Sequence, residues 1–141
     1  METTQLTVNA AIAADIQSVW EAWTQPKHIT GWNFASDDWC CPNAENDLRT
    51  GGKYTARMEA KDGSFGFDFE AVYDEVLTHQ KIVYTMADGR KSTTVFKSTG
   101  NTTEVSTTFD AETSNPIDMQ QQGWQAILNN FKKYVEHNAQ P

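Results

Sequence analysis

The histidines His28, His79 and His137, the adjacent cysteines Cys40 and Cys41, and the adjacent aspartates Asp37 and Asp38 are the first places to look for chemistry in this chain. Their spacing argues against most of it. The histidines fall at no metal-ligand spacing, and two neighbouring cysteines supply too few further ligands for a zinc site. Neighbouring thiols cannot form a disulfide framework, and a bond between them would strain the peptide that joins them. They read as two reduced thiols in a loop. Asp37-Asp38 could serve acid–base work, but adjacent acids in an acidic, irregular stretch read more simply as solvated surface. Asp68 and Glu70, two apart on a strand pattern, share an outer face in the same way. His28, at a helix end near the mouth of a presumed cleft, is the residue to test as a general base; the plainer reading is a solvent-facing histidine. No phosphate loop, nucleophile elbow or zinc-protease spacing is present, and Gly51-Gly52 lacks the spaced glycines and following helix of a nucleotide site. No catalytic residue, metal or cofactor is therefore expected.

The chain that must position these residues has 141 of them, the length of one ordinary domain. It is 38% hydrophobic and 11% aromatic, enough to build a core. Nineteen acidic against eleven basic residues give a net charge of −8, which disfavours phosphate backbones and anionic lipid surfaces. Nucleic acid is not an expected partner. No run of about 18 apolar residues could span a bilayer, and the start has no secretory pattern, so membrane insertion is not expected and a cytoplasmic location is.

Residues 2–12 read as a first strand. Ile16, Val19, Trp20 and Trp23 then fall on one face of a short helix, with Asp15 as its N-cap and Pro26 ending it. Pro26 opens a second short helical turn through Ile29. Residues 31–47 are the least regular part, holding Trp32, Phe34 and Trp39. Beyond Gly51-Gly52 the pattern becomes hairpins: strands over 53–60, 64–76, 81–86, 91–98 and 102–109, separated at Asp62-Gly63, Asp88-Gly89 and Gly100-Asn101. Strands joined this closely form an antiparallel meander. After Asn115-Pro116, Trp124, Ile127, Leu128, Phe131, Tyr134 and Val135 mark one face of a long helix to about His137. Gly123 lies inside it at a cost of about 1 kcal/mol, which suggests close approach to a backbone or ligand.

The helix needs an apolar partner, and one face of the sheet is the large one available. Parity assigns that face Tyr54, Ala56, Met58 and Ala60, then Phe65, Phe67, Phe69, Ala71 and Tyr73, then Ile82, Tyr84 and Met86; a single bulge in 64–76 would invert its part. A bent sheet around one helix leaves a cleft lined by aromatics and methionine, suited to a small apolar molecule, unless the rings close-pack.

The segment Ile12-Ala13-Ala14-Asp15-Ile16-Gln17-Ser18-Val19-Trp20-Glu21-Ala22-Trp23-Thr24 resembles the opening helix motif of proteins related to the C-terminal domain of the activator of the heat-shock-protein-90 ATPase, with Ala14 where the family has proline. Ile29-Thr30-Gly31-Trp32, Asp47-Leu48-Arg49-Thr50-Gly51-Gly52-Lys53-Tyr54, Lys81-Ile82-Val83-Tyr84-Thr85 and Gly123-Trp124 are similar to later elements of that family, in the same order. The resemblance implies one START-like, helix-grip α+β domain over residues 1–141. It would have a curved seven-stranded antiparallel sheet around a long C-terminal helix, two short helices after strand 1, and a hydrophobic cavity between. It implies, for function, binding or carriage of a small hydrophobic molecule such as a lipid, polyketide or aromatic compound. A cyclase- or hydrolase-type enzyme and a chaperone-linked interaction module are the alternatives, and a homodimer is left open. Stimulation of the chaperone is disfavoured, since the chain has no room for the domain that precedes this one. Parity and resemblance together give as cavity lining Trp32, Phe34, Trp39, Tyr54, Met58, Phe67, Phe69, Tyr84, Met86, Trp124 and Leu128.

Overall fold

The computed structural model describes residues 4–113 and 115–139; Glu2 and Thr3 of the expected first strand lie outside them. The elements run β1 (Gln5–Ile12), α1 (Ile16–Thr24), α2 (Pro26–Ile29), β2 (Trp39–Asn46), β3 (Lys53–Ala60), β4 (Gly66–Leu77), β5 (Lys81–Met86), β6 (Lys91–Thr99), β7 (Thr102–Asp110) and α3 (Ile117–Ala139). The strands form one antiparallel sheet in the order β1-β7-β6-β5-β4-β3-β2. β2 to β7 are thus a continuous meander, and β1 closes the far side against β7.

Local chemistry sets the helix boundaries. Asp15 caps α1 by accepting from Ser18 N at 3.4 Å and from Ser18 Oγ at 2.6 Å, and these bonds hold its carboxyl below the usual range. Pro26 takes the first position of α2, where its missing N–H costs nothing. At the start of α3, the Gln120 side chain clamps the preceding loop. Its Nε2 donates to Asn115 O at 2.8 Å and Glu112 O at 3.1 Å, and its Oε1 accepts from Glu112 N at 2.8 Å.

α3 lies along β1. Lys132 Nζ donates to Ala11 O at 2.8 Å, while Glu136 Oε2 accepts from Ala13 N at 2.8 Å and from Lys132 at 2.6 Å. On its inner face Leu128, Phe131 and Val135 are buried. Each such side chain contributes roughly 1.5–3 kcal/mol, so the stripe outweighs the polar ties. Trp23, Trp32 and Phe131 pack together with centroids 4.9–5.0 Å apart, closing the end of the sheet that α1 and α2 cover.

Three expectations need correction. β2 runs through the segment read as irregular, and Cys40 and Cys41 lie in this strand rather than in a loop. Its alternation is hidden by an irregularity between Cys40 and Asn43, which contains Pro42; an edge strand tolerates proline because one side needs no partner. In β4, the register shifts between Tyr73 and Glu75. Ala71 and Tyr73 face inward as parity expects, but beyond the bulge Val76 packs against the core, opposite buried Ile82. Gly123 makes no close approach, since a methyl group there would meet nothing within 4 Å. Gly52 is sterically required: a Cβ would stand 2.0 Å from Asp47 O, at the corner where Gly51 (φ 85°) turns the chain from β2 into β3.

Candidate functional site

Between α3 and the concave face of the sheet lies a cavity of about 340 Å³. The helix packs along β1, and the cavity opens between it and β3, β4 and β5. Tyr54 and Met58 come from β3, Phe67, Phe69 and Tyr73 from β4, and Ile82, Tyr84 and Met86 from β5. Trp124, Ile127 and Leu128 form the helical wall; Trp23, Trp32 and Asn33 close one end. Val8 and Thr107 complete the floor, and Arg90 and Glu112 stand in the loops after β5 and β7. Exposure falls along the wall from Phe67 at 43% to Ile82 at 1%, so the cavity has a mouth and a deep interior.

Of the side chains anticipated for the lining, Trp32, Tyr54, Met58, Phe67, Phe69, Tyr84, Met86, Trp124 and Leu128 stand on this wall, and Phe34 and Trp39 do not. Phe34 packs against the core from outside, its carbonyl accepting from Asn130 Nδ2 at 2.8 Å. Trp39 turns to the sheet edge, with ring centroids 6.0 Å from Phe65 and 6.2 Å from Phe67. Phe65, placed inward by parity, is 61% exposed. Trp23, Tyr73, Ile82 and Ile127 join the wall although they read only as strand- or helix-face residues. Asn33, Arg90 and Glu112 left no periodic signal, because loops supply them.

Polar groups are few and mostly committed. Tyr54, Tyr73 and Tyr84 form a triangle with ring centroids 6.2–6.3 Å apart. Tyr73 Oη donates to Asn46 Oδ1 at 2.7 Å, and Asn46 Nδ2 in turn to Thr24 O at 2.5 Å. Tyr54 Oη accepts from Asn33 Nδ2 at 3.2 Å. Burial pushes the hydroxyls of Tyr54 and Tyr73 well up, and that of Tyr84 up to about 12, against the opposing pull of the Ser92 hydroxyl and the Arg90 charge. All three phenols therefore stay protonated at neutral pH. At the rim, Arg90 Nε is paired with Asp88 Oδ2 at 2.7 Å, and its Nη1 reaches Asp110 O at 3.4 Å.

The groups that suggested chemistry in the sequence lie elsewhere. His28 is not on the cavity wall; its Nδ1 shares a 2.6 Å hydrogen bond with Tyr134 Oη, and burial, with Lys27 beside it, lowers its pKa. Cys41 is buried and free, its thiol pushed up by burial; Cys40 is half-buried and free. Asp37, Asp38, Asp68 and Glu70 are exposed. Among the described residues no cluster of His, Cys, Asp and Glu could hold a metal, and no helix is long and apolar enough to cross a membrane.

The family model described as "Activator of Hsp90 ATPase homolog 1-like protein" matches residues 13–136. The AHSA1-like protein from Aeromonas hydrophila, solved by NMR, is 43% identical, with 96% of this chain and 94% of that chain covered and a TM-score of 0.90. A protein from Cytophaga hutchinsonii is 51% identical over 95% of this chain and 93% of that one, with a TM-score of 0.81. A protein from Chromobacterium violaceum shares the fold at 20% identity, with 94% and 98% covered and a TM-score of 0.85. No functionally curated protein matches the chain significantly.

Proposed function

The chain belongs to the activator of Hsp90 ATPase homolog 1-like family, and from that premise we propose that it binds or carries a small hydrophobic molecule in the cavity between its sheet and α3. One observation carries the reading: about 340 Å³ between helix and sheet is walled by large aromatic and methionine side chains instead of being filled by them. Interiors normally close-pack, and a void of this size forfeits dispersion contacts that a ligand would restore. Its size is within the range of small-molecule sites. Nine of the side chains anticipated from sequence, from Trp32 and Tyr54 to Trp124 and Leu128, are in this reading ligand contacts.

The same wall favours binding over catalysis. Its ionisable members are three tyrosines held neutral by burial, a rim arginine paired with Asp88, and Glu112, whose carboxylate accepts from Asn115. No nucleophile–base pair is among them. Native mass spectrometry of the protein from its own source tests the reading. A co-purifying small molecule released on unfolding supports it; protein that is ligand-free, and that binds no apolar compound afterwards, counts against it.

A further inference from the structure

We propose that the ligand carries a neutral hydrogen-bond acceptor, a carbonyl oxygen, at its buried end, and that the Tyr54 hydroxyl is the donor that reads it. The proposal rests on the cavity being a ligand site.

Of the three phenols on the wall, no described residue accepts from Tyr54 or Tyr84, and Tyr54 is the more deeply buried of the two. Tyr73 has given its proton to Asn46 Oδ1 at 2.7 Å. Tyr54 Oη instead receives a hydrogen bond, from Asn33 Nδ2 at 3.2 Å, so its own O–H is not used in that contact. No described residue accepts from it. Both partners line the cavity, and Tyr54 is only 8% exposed. A buried donor without an acceptor is costly, and the cavity is where an acceptor would have to come from. The free phenol proton excludes a bare hydrocarbon as the best-fitting occupant.

Charge narrows the class further. Among the described residues Arg90 is the one cationic side chain on the wall, and it sits at the rim with its Nε on Asp88. Beside Tyr54 stand Phe69, Tyr73 and Tyr84, none of which can neutralise an anion. A carboxylate there would be a buried, unpaired charge. A ketone, ester or quinone oxygen meets the donor without that cost.

The test uses two probes of nearly equal shape, fluorene and 9-fluorenone, titrated by calorimetry into wild type, Tyr54→Phe and Tyr73→Phe. Tyr54→Phe should weaken 9-fluorenone about tenfold or more while leaving fluorene within about twofold, so the ratio of the two dissociation constants shifts. Tyr73→Phe should leave that ratio unchanged, because its hydroxyl is already committed. In wild type the bound 9-fluorenone carbonyl should absorb at lower infrared frequency than in an alkane, a readout that does not depend on any variant folding. An unchanged ratio in folded Tyr54→Phe, or a carbonyl frequency equal to that in alkane, overturns the proposal while leaving cavity binding standing. Binding of neither probe to wild type overturns the cavity reading and this proposal together.

Discussion

Phe109 of β7 and Trp124 of α3 stack with ring centroids 3.9 Å apart and planes 8° from parallel. Phe109 is fully buried and Trp124 lines the cavity, so one contact both fastens the helix to the sheet and finishes the cavity wall. In the proposed reading, stability and ligand binding are coupled at this position.

Trp124→Ala should therefore lower stability by about 3 kcal/mol, the low end for removing a large aromatic because one flank of Trp124 already faces open space. It should also weaken apolar ligands more than Tyr84→Phe does. Denaturant unfolding and a ligand titration on the same preparations measure both effects. Loss of binding without loss of stability would separate the two roles assigned to the ring.

Gly123→Ala should stabilise the protein by about 1 kcal/mol. An added methyl group meets nothing within 4 Å, so the helix-propensity gain is not offset by a clash. Thermal or denaturant unfolding reads the change. A destabilised variant would mean that something does approach the helix at Gly123.

Buried phenols give the fold an alkaline limit. The folded-state pKa values of Tyr54, Tyr73 and Tyr84 are raised above the ordinary 10, so the native state holds protons that the unfolded chain releases. The stabilising difference is intact below pH 10 and is lost as pH rises, for Tyr84 through about 12. Each phenol still protonated in the fold and ionised in the unfolded chain steepens the fall by about 1.4 kcal/mol per pH unit. Unfolding free energies measured between pH 9 and 12 should show this descent, shallower in Tyr84→Phe. A flat profile across that range would mean the three hydroxyls reach solvent.

Much of this architecture is legible in the amino-acid sequence. The alternation of Tyr54, Ala56 and Met58 and of Ile82, Tyr84 and Met86 marks β3 and β5 to the residue, because half-buried antiparallel strands print their burial as parity. The stripe through Leu128, Phe131 and Val135 does the same for α3. β2 is illegible because Pro42 and the irregularity around it break the alternation on an edge where few contacts enforce it. The bulge at Asp74 costs one residue of register and hands the inward place to Val76.

The candidate site is legible only where parity or a helical stripe reaches it. Trp32 belongs to the aromatic step after α2 and lands on the wall. Phe34 and Trp39 follow in the same irregular stretch, and nothing local fixes the direction of their side chains. Arg90 and Glu112 come from loops whose approach to the mouth depends on how far the sheet curls, a property of the whole meander. The Asn33–Tyr54 contact joins residues 21 apart and has no local signature.

In the proposed function the space under α3 is a binding site and not a packing defect. Titration with the neutral fluorophore N-phenyl-1-naphthylamine, followed by emission and by melting temperature together, tests it most directly. A binding site gives saturable binding of one molecule per chain, with a melting temperature that rises with free ligand as linkage requires. Emission that never saturates, with no change in melting temperature at any concentration, would contradict it.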